Sequence, residues 1–227
     1  MDAWCEFCVA QEKTGDIGMT PHFHRFAEKF VTSRMLGETK NFAVIAGMGQ
    51  LVEGYILILS KKHFNSMAYI SSDLLGELSE LSEKIRFCIE TEYATPLIFE
   101  HGSVLEVEVG KSPAQGGGMC IDHAHFHYIP LADSRPIITS LKSEFSWHSI
   151  SELSDLEIQA RNHQPYIFVQ ASDLERLVFK ADSPPSQYMR RLIAQHLGIA
   201  DKWNWATHPE PEKLALTVNR LKKYFED

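Results

Sequence analysis

The stretch His123-Ala124-His125-Phe126-His127-Tyr128-Ile129 decides how the rest of the chain is read. Side chains on an extended strand alternate between two faces, so residues 123, 125 and 127 share one side at a spacing of roughly 6.5 to 7 Å. Ala124, Phe126 and Tyr128 share the other. One face is therefore apolar and the other is a row of imidazoles, which are poor fillers for a hydrophobic core. Three readings of the row are open at this point: solvated surface residues, three ligands of one metal ion, or a nucleophile at His125 flanked by residues that orient it or bind something else. The last has a chemical basis, because a neutral imidazole nitrogen attacks phosphorus readily and the phosphoramidate so formed is labile. The chain holds 11 histidines in 227 residues, where average usage gives about 5, so their positions carry information.

Working outward, Gly116-Gly-Gly118 breaks the chain ahead of the row, and Cys120–Leu131 reads as the strand that carries it. Thr95–Glu100 reads as another strand, closing at His101-Gly102. Before it, Leu74, Leu78, Leu81, Ile85 and Cys88 or Ile89 recur every three or four residues, a helix with Ser72 as its expected N-cap. Cys88 lies on the apolar stripe and reads as a buried small hydrophobe. Further upstream Leu51–Leu59 is β-rich, opens after Gly47-Met-Gly49 and ends in Ser60-Lys-Lys-His63, which places His63 just past a strand end. Near the start, Cys5-Glu-Phe-Cys8 is a close cysteine pair open to zinc, redox or no chemistry at all. A thioredoxin-like use needs a βαβ context that the first ten residues cannot supply. Zinc needs two more ligands, for which His63 and one histidine of the row are the obvious candidates.

Downstream, residues 134–164 are polar with no sustained period, as in a linker or a loop over the site. Tyr166–Gln170 and Arg176–Lys180 read as two strands around a turn at Ala171-Ser-Asp173. A helix is expected over Gln187 to Leu197, stopped by Gly198, and another over Glu210–Tyr224. This tail of about 60 residues is too small for a trusted independent core and is expected to pack on the first domain.

Composition bounds the function. Hydrophobic residues make up 44% and charged residues 23%, as in a globular domain and unlike a disordered or collagen-like chain. The net charge of −8 disfavours a nonspecific electrostatic grip on nucleic acid. The longest apolar runs, around Tyr55–Leu59, fall far short of a membrane span, and the beginning Met-Asp-Ala-Trp-Cys lacks a basic and apolar signal, so a cytoplasmic protein is expected.

Together, Cys5-x-x-Cys8, Gly54-Tyr-Ile-Leu-Ile-Leu-Ser-Lys-Lys-His63, the long helix, the Gly-rich turn and His123-Ala-His125-Phe-His127-Tyr-Ile resemble the histidine triad (HIT) superfamily of nucleotide hydrolases and transferases. The resemblance covers about residues 1–132, with the motifs in the family's order. It implies that His125 attacks the α-phosphorus of a nucleotide conjugate to give a nucleotidyl-histidine intermediate, with His127 contacting phosphate or orienting His125. It also implies a closed, structural zinc site at Cys5, Cys8, His63 and His123. Where the family commonly has Gly-Gln-Ser or Gly-Gln-Thr before the triad, this chain has Gly118-Met119-Cys120. The family's ribose-gripping Asp falls at Gly47, and its Asn-Gly at His101-Gly102. Cys120 is thus a candidate weak donor to the leaving group, and His101 a candidate phosphate contact oriented by Glu100.

Pro185-Ser-Gln-Tyr-Met-Arg-Arg-Leu-Ile-Ala and Trp203-Asn-Trp205 are similar to the carboxy-terminal segment of larger, CwfJ-like HIT relatives. That likeness implies that Gln187, Arg190 or Arg191 meets substrate phosphate, for which Arg is suited by its planar fork of donors. The expected architecture is α+β: a HIT-like antiparallel sheet with flanking helices over residues 1–133, a linker or loop over 134–165, and a small α+β extension over 166–227. The expected partner is a small-molecule nucleotide, with an RNA end as the one nucleic-acid alternative, and the chain is expected as a monomer or a homodimer. A noncatalytic nucleotide- or RNA-end-binding module is the competing function, and a catalytic ion held by His123, His125 and His127 is the third.

Overall fold

A computed structural model describes residues 5–104, 123–171, 175–182 and 184–226. Among these residues eight strands form one sheet: β1 (Met35–Glu38), β2 (Phe42–Ala46), β3 (Ile56–Ser60), β4 (Pro96–Gly102), β5 (His125–Pro130), β6 (Trp147–Ile150), β7 (Tyr166–Gln170) and β8 (Arg176–Lys180). Their order is β1-β2-β3-β5-β4-β7-β8-β6, and every neighbouring pair is antiparallel. Among the described residues seven α-helices flank it: α1 (Glu6–Thr14), α2 (Pro21–Phe26), α3 (Leu75–Glu92), α4 (Arg135–Glu144), α5 (Glu157–Arg161), α6 (Tyr188–His196) and α7 (Pro211–Leu221). The class is α+β.

The period-2 alternation of the strands sorts side chains into two cores. Ile56, Ile58, Ile98, Phe126, Tyr128, Tyr166 and Phe168 face the side packed by α3 and α7, through Leu78, Leu81, Ile85, Leu214 and Val218. Leu57, Leu59, Leu97, Phe99, Ile129, Ile167 and Val169 face the side packed by Phe7 of α1, Ile137 and Leu141 of α4, and Met189 and Ile193 of α6. The histidine row lies on this second side, since Leu57 pairs with His127 and Leu59 with His125.

Several expected elements shift. The long helix begins at Leu75 rather than Ser72, because Ser72–Leu74 forms a 3-10 turn first. Cys88 lies on its buried stripe as expected, with burial pushing the thiol up to about 11. The strand carrying the row starts at His125, so His123 stands just ahead of it; Cys120 lies outside the described residues. Residues 134–165 are not an irregular linker: they hold α4, β6 and α5. Only Ile137 and Leu141 of α4 are buried, and β6 is an exposed edge strand, so neither writes a sustained apolar period. The two strands of the tail do form, and they extend the same sheet. β7 pairs along β4 from Ile98↔Gln170 to Gly102↔Tyr166, so the edge of β4 that faces away from β5 is occupied by the chain itself.

Candidate functional site

The metal candidates come together from four places in the chain. Cys5, Cys8, His63 and His123 each bring one donor atom, all within 4.8 Å of one another. Cys5 Sγ lies 3.3 Å from His123 Nδ1, Cys8 Sγ 3.4 Å from His63 Nδ1, and Cys8 Sγ 3.6 Å from His123 Nδ1. A tetrahedral zinc with ordinary Zn–S and Zn–N lengths separates sulfur from nitrogen by about 3.6 Å. The outer nitrogens agree with this. His123 Nε2 donates to the Ser60 carbonyl at 2.6 Å, and that oxygen only accepts, so Nδ1 is the bare nitrogen turned toward the sulfurs. His63 Nε2 lies 3.3 Å from Asn65 Oδ1, the same pattern. Second partners of this kind fix the tautomer of a metal-bound histidine. Burial, with His63 and His125 nearby, lowers the His123 pKa to about 4, which keeps it an available lone pair.

The same logic sets His125. Its Nδ1 lies 2.5 Å from the His123 carbonyl oxygen, so Nδ1 carries the proton and Nε2 carries the lone pair. Burial holds its pKa below the ordinary value, against the raising effect of that hydrogen bond, and the ring is neutral. Edge-on contacts flank it: Phe7 at 6.3 Å and His127 at 4.5 Å between ring centroids. His127 is also neutral, lowered by burial and then by His125, His101 and Arg190. It stacks on Phe99 at 4.3 Å, and its Nδ1 meets Tyr55 Oη at 2.5 Å.

These rings border a pocket that opens to solvent. Its wall on the α1 side is Glu6 and Phe7, backed by Thr20 and Arg34. Met48, Tyr55 and Leu57 come from the β2–β3 region, His101 from β4, and Gln187, Arg190 and Trp205 from the tail. Arg34 is buried and donates to the Gly18 and Ala46 carbonyls and to Thr20 Oγ1; burial lowers it to about 10 while Glu6, Asp16 and Tyr55 oppose the shift. Burial raises Glu6, with Arg34 and His22 opposing. Arg190, only 3% exposed, donates from Nε to the Trp203 carbonyl and from Nη2 to the Gly49 carbonyl. Its Nη1 is buried and has no partner among the described residues.

The structure divides the expected contacts. Gln187 and Arg190 border the pocket; Arg191 does not, and lies over the Trp203 ring instead. His101 borders it, but its Nε2 accepts the Met189 backbone N–H at 3.2 Å, and burial lowers its pKa to about 3. Glu100 does not orient His101. Alternation turns it to the opposite face, where it accepts from Met67 N at 2.7 Å and Tyr166 Oη at 2.6 Å. Tyr55, Arg34 and Glu6 were not singled out from the sequence. Tyr55 had a signal: it shares a strand face with Leu57 and Leu59, and Gly47 lacks a Cβ where one would sit 2.8 Å from the Tyr55 ring. Gly47 is thus the space the tyrosine fills.

No family model and no curated protein matches the chain. Among solved structures it is similar to a hypothetical histidine triad nucleotide-binding protein from Sulfolobus tokodaii, 19% identical, covering 70% of this chain and 91% of that one at a TM-score of 0.36. A zinc-bound histidine triad family protein from Mycobacterium smegmatis is 13% identical, covering 70% and 92% at 0.38. A HIT family protein from Bacillus anthracis is 12% identical, covering 63% and 99% at 0.38. Likeness at these values assigns no role to any residue.

Proposed function

We propose that this chain is a HIT-type nucleotide hydrolase or nucleotidyltransferase that acts at the α-phosphorus of a nucleotide conjugate through His125. One observation carries the reading: the His123 carbonyl accepts the hydrogen bond of His125 Nδ1–H, leaving a neutral Nε2 lone pair beside a pocket that the Arg190 side chain also borders. A lone pair next to a fixed cation suits attack on a phosphoryl group whose oxygens carry negative charge. In the first step Nε2 bonds to phosphorus and the bond to the departing group breaks with its electron pair. Water or another acceptor then attacks the same phosphorus and releases the nucleoside monophosphate or its derivative. Arg190 and Gln187 hold the phosphoryl oxygens, and Phe7, Met48, Leu57 and Trp205 supply apolar contact.

Cys5, Cys8, His63 and His123 would hold zinc with four protein ligands, and the ion would then supply a cross-link and not a reacting centre. His123 then serves twice, binding the ion through Nδ1 and orienting His125 through its carbonyl. Thiol ligands are kept by a reducing compartment, which supports a cytoplasmic setting. Occupation of the outer edge of β4 by β7 favours a monomer over sheet-to-sheet dimerisation at that edge.

The test is covalent labelling. Nucleotide conjugates labelled at the α-phosphorus are expected to leave an acid-labile label on the wild type during turnover and none on His125→Ala. Turnover without such a label refutes the covalent route. Tight binding with no turnover of any conjugate moves the protein to the noncatalytic class.

A further inference from the structure

Attack by His125 leaves the departing group in need of a proton, and the ring nearest the nucleophile is unusually constrained. His127 is buried, stacked at 7° on Phe99, with the Tyr55 ring 5.8 Å away at 20°. Its Nδ1 is held by Tyr55 Oη at 2.5 Å, and the ring borders the pocket. The tyrosine is itself built in. Gly47 leaves room for its ring, and Gln50 clamps its backbone, accepting from Tyr55 N at 3.1 Å and donating to Tyr55 O at 2.7 Å. The Arg190 guanidinium stands 5.5 Å from the centroid of the same ring.

A neutral imidazole has one N–H. Beside a phosphoryl group it is useful only with that N–H turned to the anion, because a bare nitrogen there repels the substrate oxygens. Nε2 must then carry the proton and Nδ1 must accept, so the Tyr55 hydroxyl donates. We infer that Tyr55 holds His127 in its Nε2–H tautomer and supplies, through the ring, the proton taken by the departing group; this rests on the reading of His125 as the nucleophile. As the bond from phosphorus breaks, the departing atom takes the Nε2 proton and the phenol proton passes to Nδ1. The phenolate's charge is carried by a ring whose centroid lies 5.5 Å from the Arg190 guanidinium. In the second step the attacking water gives its proton to Nε2, and Nδ1 returns one to Tyr55, so the protein ends as it began. His127 touches the reacting atoms and is catalytic; Tyr55 acts through it and is a positioning residue.

Two readouts test this. Long-range proton–nitrogen correlation on ¹⁵N-labelled wild type, with His127 assigned by its absence in His127→Gln, is expected to show the Nε2–H tautomer; an Nδ1–H ring overturns the inference. Kinetics compare a nucleoside phosphoramidate of an alkylamine, a leaving group that must be protonated, with the matching nitrophenyl ester, which leaves unaided. In single-turnover measurements of the step that releases the departing group, Tyr55→Phe is expected to lose about 100-fold on the first, the scale of general acid catalysis, and to change little on the second. Equal losses on both mean that Tyr55 only packs, and overturn the relay. If Tyr55→Phe does not fold, His127→Gln is expected to show the same split and decides in its place. A wild type that turns over neither conjugate removes the reading of His125 itself, whereas turnover of both without a split in the variants removes the relay alone.

Discussion

Glu6 and Phe7 form one wall of the pocket, Gln187, Arg190 and Trp205 form the other, and the two are fastened by different physics. The first wall stands on α1, a nine-residue helix, shorter than an isolated helix needs to persist in water. Its buried apolar residues are Phe7 and Ala10, and the Cys5 side chain makes no cap bond. Beside that packing, Cys5 and Cys8 gather with His63 and His123 into a cluster of four donors that could hold a metal. The second wall is tied by many small attachments: the β4–β7 ladder, Glu100 with Tyr166 across that ladder, Arg190 with Gly49, and Thr217 of α7 with Gly54 and Gln50. The first wall adds this one concentrated cluster to its core packing and to the Arg34 bonds behind it. The other spreads its attachment, so no single loss should release it.

The largest expected effect is on the first wall. For an ion present at a thousandfold excess over its dissociation constant, the bound metal contributes about 4 kcal/mol of stability. Cys8→Ser is expected to lose bound zinc and about that much stability, read by metal analysis and chemical denaturation, with Phe7 no longer held against His123 and His125. His125→Ala, which offers no donor to the cluster, is expected to keep its zinc. If His125→Ala loses the metal and Cys8→Ser does not, the row itself binds the ion and the comparison between the walls collapses.

The difference in fastening also explains what could be read from the sequence. The fastening of the first wall was legible in part because metal chemistry forces a small set of residue types: Cys5-x-x-Cys8, His63 and one histidine of the row offered four donors, and the resemblance singled out His123. The row was legible for the same reason, through alternation. The second wall uses main-chain ladders and side chains such as Thr217 and Gln50, whose role exists only once distant segments meet. Phe42–Ala46 is buried on every residue, so it shows no alternation, and five apolar residues alone do not separate strand from helix. Gly49 is clear only in retrospect: its φ is +64°, and a Cβ there would sit 2.6 Å from the Trp205 Cα. The Gly47-Met-Gly49 opening is therefore the seat of the tyrosine and of the tail.

The second wall should answer to pH, where the first is expected to answer to chelators. Glu100 is fully buried, and desolvation raises its pKa from 4.5 to about 7, partly offset by the bonds from Tyr166 and Met67. A carboxyl with a raised folded pKa contributes stability that is fully present below its unfolded pKa and lost as pH rises through the folded one. Between about pH 4.5 and pH 7 this attachment should therefore weaken, by about 3 kcal/mol at most. Glu100→Gln keeps an acceptor for Met67 N and a donor for Tyr166 Oη but cannot ionise. Its stability relative to wild type is expected to rise with pH across that window, measured by denaturation at fixed ionic strength. A difference that stays flat from pH 4.5 to 8 places the charge of Glu100 outside the linkage between the two halves of the sheet.

The smallest effect is also the sharpest probe of how the attachment is shared. Thr217 is fully buried on α7; its Oγ1 accepts the Gly54 N–H at 2.8 Å and donates to Gln50 Oε1 at 3.0 Å, and Gln50 in turn holds both sides of the Tyr55 backbone. Thr217→Val keeps the shape and removes the hydroxyl, leaving a buried donor unsatisfied at a cost of about 2 kcal/mol. Because β7, Arg190 and Tyr166 remain attached, the tail is expected to stay in place and zinc content to stay unchanged, while Tyr55 and through it His127 lose their fixed seat. Hydrogen exchange should then quicken around Gly54 and Tyr55 without quickening in β7. If exchange rises equally through β7 and α6, the attachment of the second wall is not shared but hangs on the Thr217 hydroxyl.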